Sequence, residues 1–383
     1  MEKEKKPIRT SIGGQALIEG VMMRSPEKTA VTVRLPNKSL ETKMFDAEPL
    51  KNKYKILGWP LIRGVAGFID SMKLGYSTLM YSAEKAATGE DEEDPSKFDL
   101  WLQKTFGDSI TKIVGVVGMV LGLLLAIVLF FWLPTTLFNL VQPALHLGDV
   151  WRAVAEGVFR MGIFIAYIIL CARMKEMRRV FMYHGAEHKT IACFESGDEL
   201  TVENVRKHTR FHPRCGTSFM ILMLLIGVLF GMLIPQTGAV VRTIVKLLCL
   251  PLIMGFGYEL LKLCGKYDNI ATRIIAKPGI WMQHLTTKEP DDDQIEVAVC
   301  AFVAAAPKNE LTEEMQMIAL YLKTKNDVIE LVADTEEASE SEQPEQPETL
   351  PEETPEEEAS SEENAEPEAN PATETPESEE KDV

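Results

Sequence analysis

Ile113–Leu133 reads IVGVVGMVLGLLLAIVLFFWL, 21 consecutive residues without a charge. At 1.5 Å per helical residue this run spans about 30 Å, the thickness of a bilayer's hydrocarbon core. The run predicts a membrane-spanning helix and sets the fold class. Thr217–Ile234 is a second uncharged run, of 18 residues. Ala153–Ala172 and Thr243–Leu261 are weaker spans. The first carries Glu156 and Arg160, an i,i+4 pair able to neutralise itself; the second carries Lys246, Glu259 and Pro251.

The expected fold is therefore an α-helical polytopic membrane protein with about four transmembrane helices. A cytoplasmic α+β portion and a disordered acidic C-terminal tail complete it. Orientation follows from basic residues in the connecting loops. Arg173, Lys175, Arg178, Arg179, Lys189, Arg206, Lys207, Arg210 and Arg214 lie between the second and third spans, whereas the outer connections carry Arg152 and Arg242 alone. The central loop and both termini are thus expected in the cytoplasm.

Six regions result: 1–112, with a β-hairpin and an interfacial helix; 113–172, a first transmembrane hairpin; 173–216, a loop rich in His and Cys; 217–261, a second transmembrane hairpin; 262–332, a cytoplasmic C-terminal region; and 333–383, the tail. In the first region, 30–34 and 40–45 alternate around Pro36-Asn37-Lys38, a hairpin signal. Ile56–Ala87 reads as an interfacial or re-entrant helix. Ile295–Ala305 fits either a helix or a strand.

The formal charge of −17 is a property of the tail. Residues 333–383 hold 21 Asp or Glu against Lys381, and removing that −20 leaves the body at +3. So polar a segment buries too little surface to offset the entropy of ordering. The six cysteines form no Cys-x-x-Cys pair, which argues against a disulfide framework. No nucleic-acid partner is expected. The expected partners are the lipid bilayer and a membrane protein complex.

The chemistry concentrates in Tyr183-His184-Gly185-Ala186-Glu187-His188-Lys189. On a helix, His184, Glu187 and His188 share one face. Neutral imidazole binds zinc and other first-row metals, and His-x-x-Glu-His is the inverted zinc-protease spacing. Five of the six histidines fall between His184 and His284. His212 and Cys215 have a workable chelate spacing, so His184, His188, His212 and Cys215 form the expected ligand set for a divalent metal, zinc above others. Glu187 is the candidate catalytic base, with a surface glutamate paired to Lys189 or Arg179 as the plain alternative. Glu259 is a possible functional group at a span end, or a side chain that merely reaches for the interface. Gln15, Glu19 and Arg24, in the glycine-containing segment 13–24, are candidates to bind a polar substrate or to brace the histidine loop.

The segments GGQALIEGVMMR, Arg63-Gly64-Val65, YHGAEHKTI, HPRCGTSF, YELL and PGIWMQ occur in that order over residues 10–305. They resemble the YqhQ-like family of bacterial membrane proteins of unknown function. That resemblance implies a bacterial cell membrane and a metal-dependent enzyme, and it supplies no substrate.

Two functions from different classes follow. The first is a metal-dependent hydrolase at the cytoplasmic face. The second is a non-catalytic adaptor with a structural metal, associated with secretion or membrane-protein quality control. A transporter ranks below both, because the best polar cluster lies outside the spans.

Overall fold

The computed structural model describes residues 9–45, 50–87, 110–145, 148–234, 238–267, 269–307, 311–313, 315 and 317–318. The acidic tail, the acidic run Asp91–Asp94 and most of the segment 313–322 lie outside the described residues.

The N-terminal part forms an antiparallel meander of β1 (Gly13–Leu17), β2 (Gly20–Arg24), β3 (Thr29–Arg34) and β4 (Leu40–Phe45). The expected β3–β4 hairpin is present, with Arg34 opposite Leu40 and Lys38 in the left-handed region at φ 71°. The glycine-containing segment 13–24 forms a tighter hairpin, β1–β2, with Gln15 opposite Met22. Its turn places Glu19 at φ 49°.

Alternate side chains of a strand face opposite sides of a sheet, and here both sides are covered. Leu17, Met22, Val31 and Val33 pack on Leu74 and Tyr81 of α1 (Ile62–Ala87). Val21, Met23 and Ala30 join Tyr183, Ile295, Val299 and Phe302 on the other side. Every residue of β3 is consequently buried. Ile295–Ala305 belongs to a helix (Asp292–Ala305) started by an Asp291–Gln294 capping box.

The apolar part follows. α2 (Ile110–Ile127) runs through a π-helical turn, Val128–Trp132, into α3 (Leu133–Leu145). α4 is Asp149–Cys171, α5 Lys175–Ser196, α6 Val202–Lys207, α7 Gly216–Met232, α8 Ala239–Lys266 and α9 Ile270–Thr286. The helix over Asp292–Ala305 is α10. Three stretches, Gly115–Pro143, Trp151–Cys171 and Ala239–Leu263, are long and apolar enough to cross a membrane. The third expected span corresponds to α7, whose 17 residues fall short of that length. This is a mostly helical membrane protein with a small sheet.

Glu156 does not make the expected local pair with Arg160. It turns to Arg152 (3.2 Å), Arg242 (2.9 Å) and Lys246 (2.5 Å), three cations buried among α4 and α8. The i,i+4 partner it keeps is the preceding Arg152, and the other two cations come from α8.

Candidate metal centre

α5 carries the site. It ends at Gly197, whose φ of 76° is the left-handed stop that glycine adopts without strain. Its second half is buried from Gly185 to Ile191, although it includes Glu187, His188 and Lys189. The chain beyond α9 runs against this helix: Lys288 N–H donates to the Phe181 carbonyl at 2.8 Å. A Cβ at Gly185 would stand 2.0 Å from the Lys288 carbonyl oxygen. Glycine between the two motif residues is therefore a packing requirement.

His184, His188 and Cys215 converge, with ligand atoms all within 4.8 Å of one another. His184 Nδ1 lies 2.9 Å from the Thr286 carbonyl and its Nε2 lies 3.2 Å from Cys215 Sγ. His188 Nδ1 lies 2.6 Å from the Arg210 carbonyl. A carbonyl oxygen only accepts, so each Nδ1 carries the proton and each Nε2 keeps a lone pair. Holding one imidazole nitrogen in this way orients the other for a metal. Burial pushes the His188 pKa down and so favours the neutral ring. Cys215 caps the N-terminus of α7, with its sulfur accepting from the Thr217 amide (3.5 Å) and hydroxyl (3.3 Å).

His212, the fourth expected ligand, is placed differently. Its ring centre is 5.7 Å from that of His188, outside the three-residue group. Gln283 grips its backbone, accepting from the amide at 2.8 Å and donating to the carbonyl at 2.7 Å. Its Nε2 faces Glu195, at 3.7 Å, which also pairs with Arg214. His212 still lines the cleft shared by His184, His188 and Cys215; its chelate spacing is visible in sequence, and the Gln283 clamp on its backbone is not.

Glu187 is 5% exposed, which removes the surface-pair alternative. Arg179 pairs with Glu19 and Lys189 with Glu289. Gly14 donates its amide to the Glu187 carboxylate, and a Cβ on Gly14 would meet Glu187 Cδ at 2.8 Å. The remaining oxygen, Oε2, is buried with no hydrogen-bond partner among the described residues. Burial pushes this carboxyl up to about 7, against the opposing pull of His184 and Gly14. Glu187, His184, His188 and Cys215 line one cleft of about 970 Å³.

The N-terminal candidates divide. Gln15 and Arg24 line that cleft, and the Gln15 side chain also rests against Gly75 of α1. Glu19 braces: it pairs with Arg179 and accepts from the Tyr183 hydroxyl at 3.0 Å, tying the β1–β2 turn to α5. Glu259 braces as well. It accepts from both sides of the Arg63 guanidinium and from the Leu61 amide at 3.4 Å, fixing the start of α1 on α8. His208 pairs with Asp198 at 3.1 Å, away from the cleft.

Residues 59–308 match the family described as protein of unknown function (DUF1385). The chain is also 32% identical, over 320 residues, to the uncharacterized protein YqhQ of Bacillus subtilis (strain 168). That alignment covers 82% of this chain and 98% of the relative. The chain belongs to this family. No solved structure matches it. The family match covers the cleft's metal-binding candidates and α10 but begins after the sheet.

Proposed function

We propose that the chain is a multi-pass membrane protein whose cytoplasmic face carries a zinc-dependent hydrolase centre. The supporting observation is the pairing of three metal-type donors with one buried carboxylate that has an unsatisfied oxygen. His184, His188 and Cys215 would hold the metal. Two histidines and a cysteine leave one position open in a tetrahedral site, the arrangement of catalytic zinc. When bound, a divalent metal supplies Lewis acidity to water and to a substrate carbonyl or phosphoryl oxygen.

The other steps belong to the chain's own groups. The Thr286 and Arg210 carbonyls hold the two imidazoles in register. Glu187 takes a proton from water through Oε2 and returns it to the leaving group. A carboxyl poised near 7 suits both directions at neutral pH. Gly14 N–H fixes the carboxylate, and the wall of β1 leaves room only for a glycine there.

Four spans are proposed, with α7 as the short third. At about 26 Å it would sit in a locally thinned bilayer. The loop bias in Arg and Lys places α5, α6 and both termini in the cytoplasm. The structural-metal adaptor reading needs a closed set of four ligands, and the placement of His212 beside Glu195 favours the open, three-ligand reading.

Glu187→Gln is the test. It keeps shape and metal while removing the proton acceptor, so complementation of a strain lacking the protein should fail with metal content at the wild-type level. A complementing Glu187→Gln protein with normal metal would sink the hydrolase reading.

A further inference from the structure

A second concentration of charge lies among the apolar helices, on residues that do not line the metal-centre cleft. Glu156 of α4 accepts from Arg152, Arg242 and Lys246. Arg242 also donates to the Ile234 (2.8 Å) and Gly231 (3.1 Å) carbonyls at the end of α7, and Lys246 donates to the Thr135 hydroxyl at 2.9 Å. Arg152 reaches Asn139 at 2.9 Å. The single carboxylate is thus engaged three times over.

One turn further along α4, Arg160 is 8% exposed, and its Nε is buried without a hydrogen-bond partner. Its guanidinium lies 5.2 Å from the centre of the Phe131 ring. The chain makes room for it: a Cβ at Gly227 of α7 would stand 3.3 Å from Arg160 Nη1. Arg160 and Lys246 line a cavity of about 100 Å³, walled otherwise by apolar side chains such as Phe130, Leu224 and Ile253. One water needs roughly 10–15 Å³ of such volume, so the cavity has room for a polyatomic group.

A cation in hydrocarbon without an opposite charge is expensive, and such groups persist where they are paired or functional. Among the described residues of this cluster, four cations face one carboxylate. A planar guanidinium beside an ammonium is also the donor set that suits an oxyanion. We propose that this cavity binds a phosphate group through Arg160 and Lys246. The group belongs either to an anionic lipid headgroup, whose apolar remainder the cavity walls would suit, or to inorganic phosphate. The inference does not depend on the metal centre.

The experiment is thermal unfolding of the purified full-length protein in a neutral detergent. Phosphatidylglycerol, phosphatidylcholine and inorganic phosphate are titrated separately into wild type, Arg160→Gln and Arg160→Lys. Wild type should shift upward in melting temperature with phosphatidylglycerol if the source is lipid, and with inorganic phosphate if it is free. Arg160→Gln removes a charge rather than a packed surface, so it should still unfold cooperatively, with the shift lost. Arg160→Lys should keep the shift at higher ligand concentration. No shift in wild type, an equal shift with phosphatidylcholine, or an undiminished shift in Arg160→Gln would each overturn the proposal. Where Arg160→Gln fails to fold, Arg160→Lys carries the localisation: an unchanged ligand concentration dependence in that variant would overturn the proposal.

Discussion

The cleft on α5 and the cluster on α4 bury ionisable groups in opposite ways. In the cleft, the basic groups are imidazoles held by backbone carbonyls, and the unsatisfied atom is a carboxylate oxygen, Glu187 Oε2. In the cluster the carboxylate is saturated by cations, and the unsatisfied atom is a guanidinium nitrogen, Arg160 Nε. The first arrangement suits a cation and a proton; the second suits an anion. Burial alone thus says little about function. The sign of the atom left over says more.

The comparison breaks most visibly at Glu156. Glu156→Ala would leave Arg152, Arg242 and Lys246 without their carboxylate, and removing one partner of a buried ion cluster costs about 3–5 kcal/mol. Denaturant unfolding should show a loss of that order. A variant as stable as wild type would mean that the three cations reach water, and the contrast between the two regions would go with it.

Gly185→Ala probes the rigidity of the cleft. Its Cβ would press on the Lys288 carbonyl, and overpacking of this kind costs about 1–3 kcal/mol. The same shift would move the Thr286 carbonyl that orients His184, so metal affinity should drop along with stability. An Ala variant with normal stability and metal would show that this wall gives way freely.

Glu195 gives the smallest effect and sharpens the picture at the cleft's rim. Burial pushes its carboxyl up, but His212 and Arg214 outweigh that and hold it below 4.5. A depressed folded pKa contributes stability above the unfolded value, and this is lost as pH falls through the folded one. Wild type should therefore lose more stability than Glu195→Gln between about pH 6 and pH 3. Parallel pH curves for the two proteins would remove the rim pairing from the account.

Much of the cleft was legible because it rests on local spacing. His184, Glu187 and His188 follow helical periodicity, whereas Cys215 joins them without His212, the residue whose spacing singled it out. The helices over the uncharged runs and the β3–β4 hairpin follow composition and turn chemistry. What could not be read depends on distant partners. The backbone of His212 is held by Gln283, 71 residues away, and Glu259 is engaged by Arg63, 196 residues away. Glu156 looked like the local partner of Arg160, whereas its contacts with Arg242 and Lys246 cross 86 and 90 residues. Gly14 belongs to a glycine-containing segment that the sequence singles out, but the contacts that require glycine at 14 and 185 come from Glu187 and Lys288, distant in sequence or outside the motif. The sequence ranks a transporter low because its best polar cluster lies outside the spans; Glu156 and its cations form a second cluster among the apolar helices.

Metal analysis of the purified full-length protein tests the central claim most directly. With His184, His188 and Cys215 as the donors, wild type should carry about one zinc per chain. Glu187→Gln should match wild type, and His188→Ala should be depleted while remaining folded. Wild-type protein purified without metal, or His188→Ala with the wild-type content, would contradict the account.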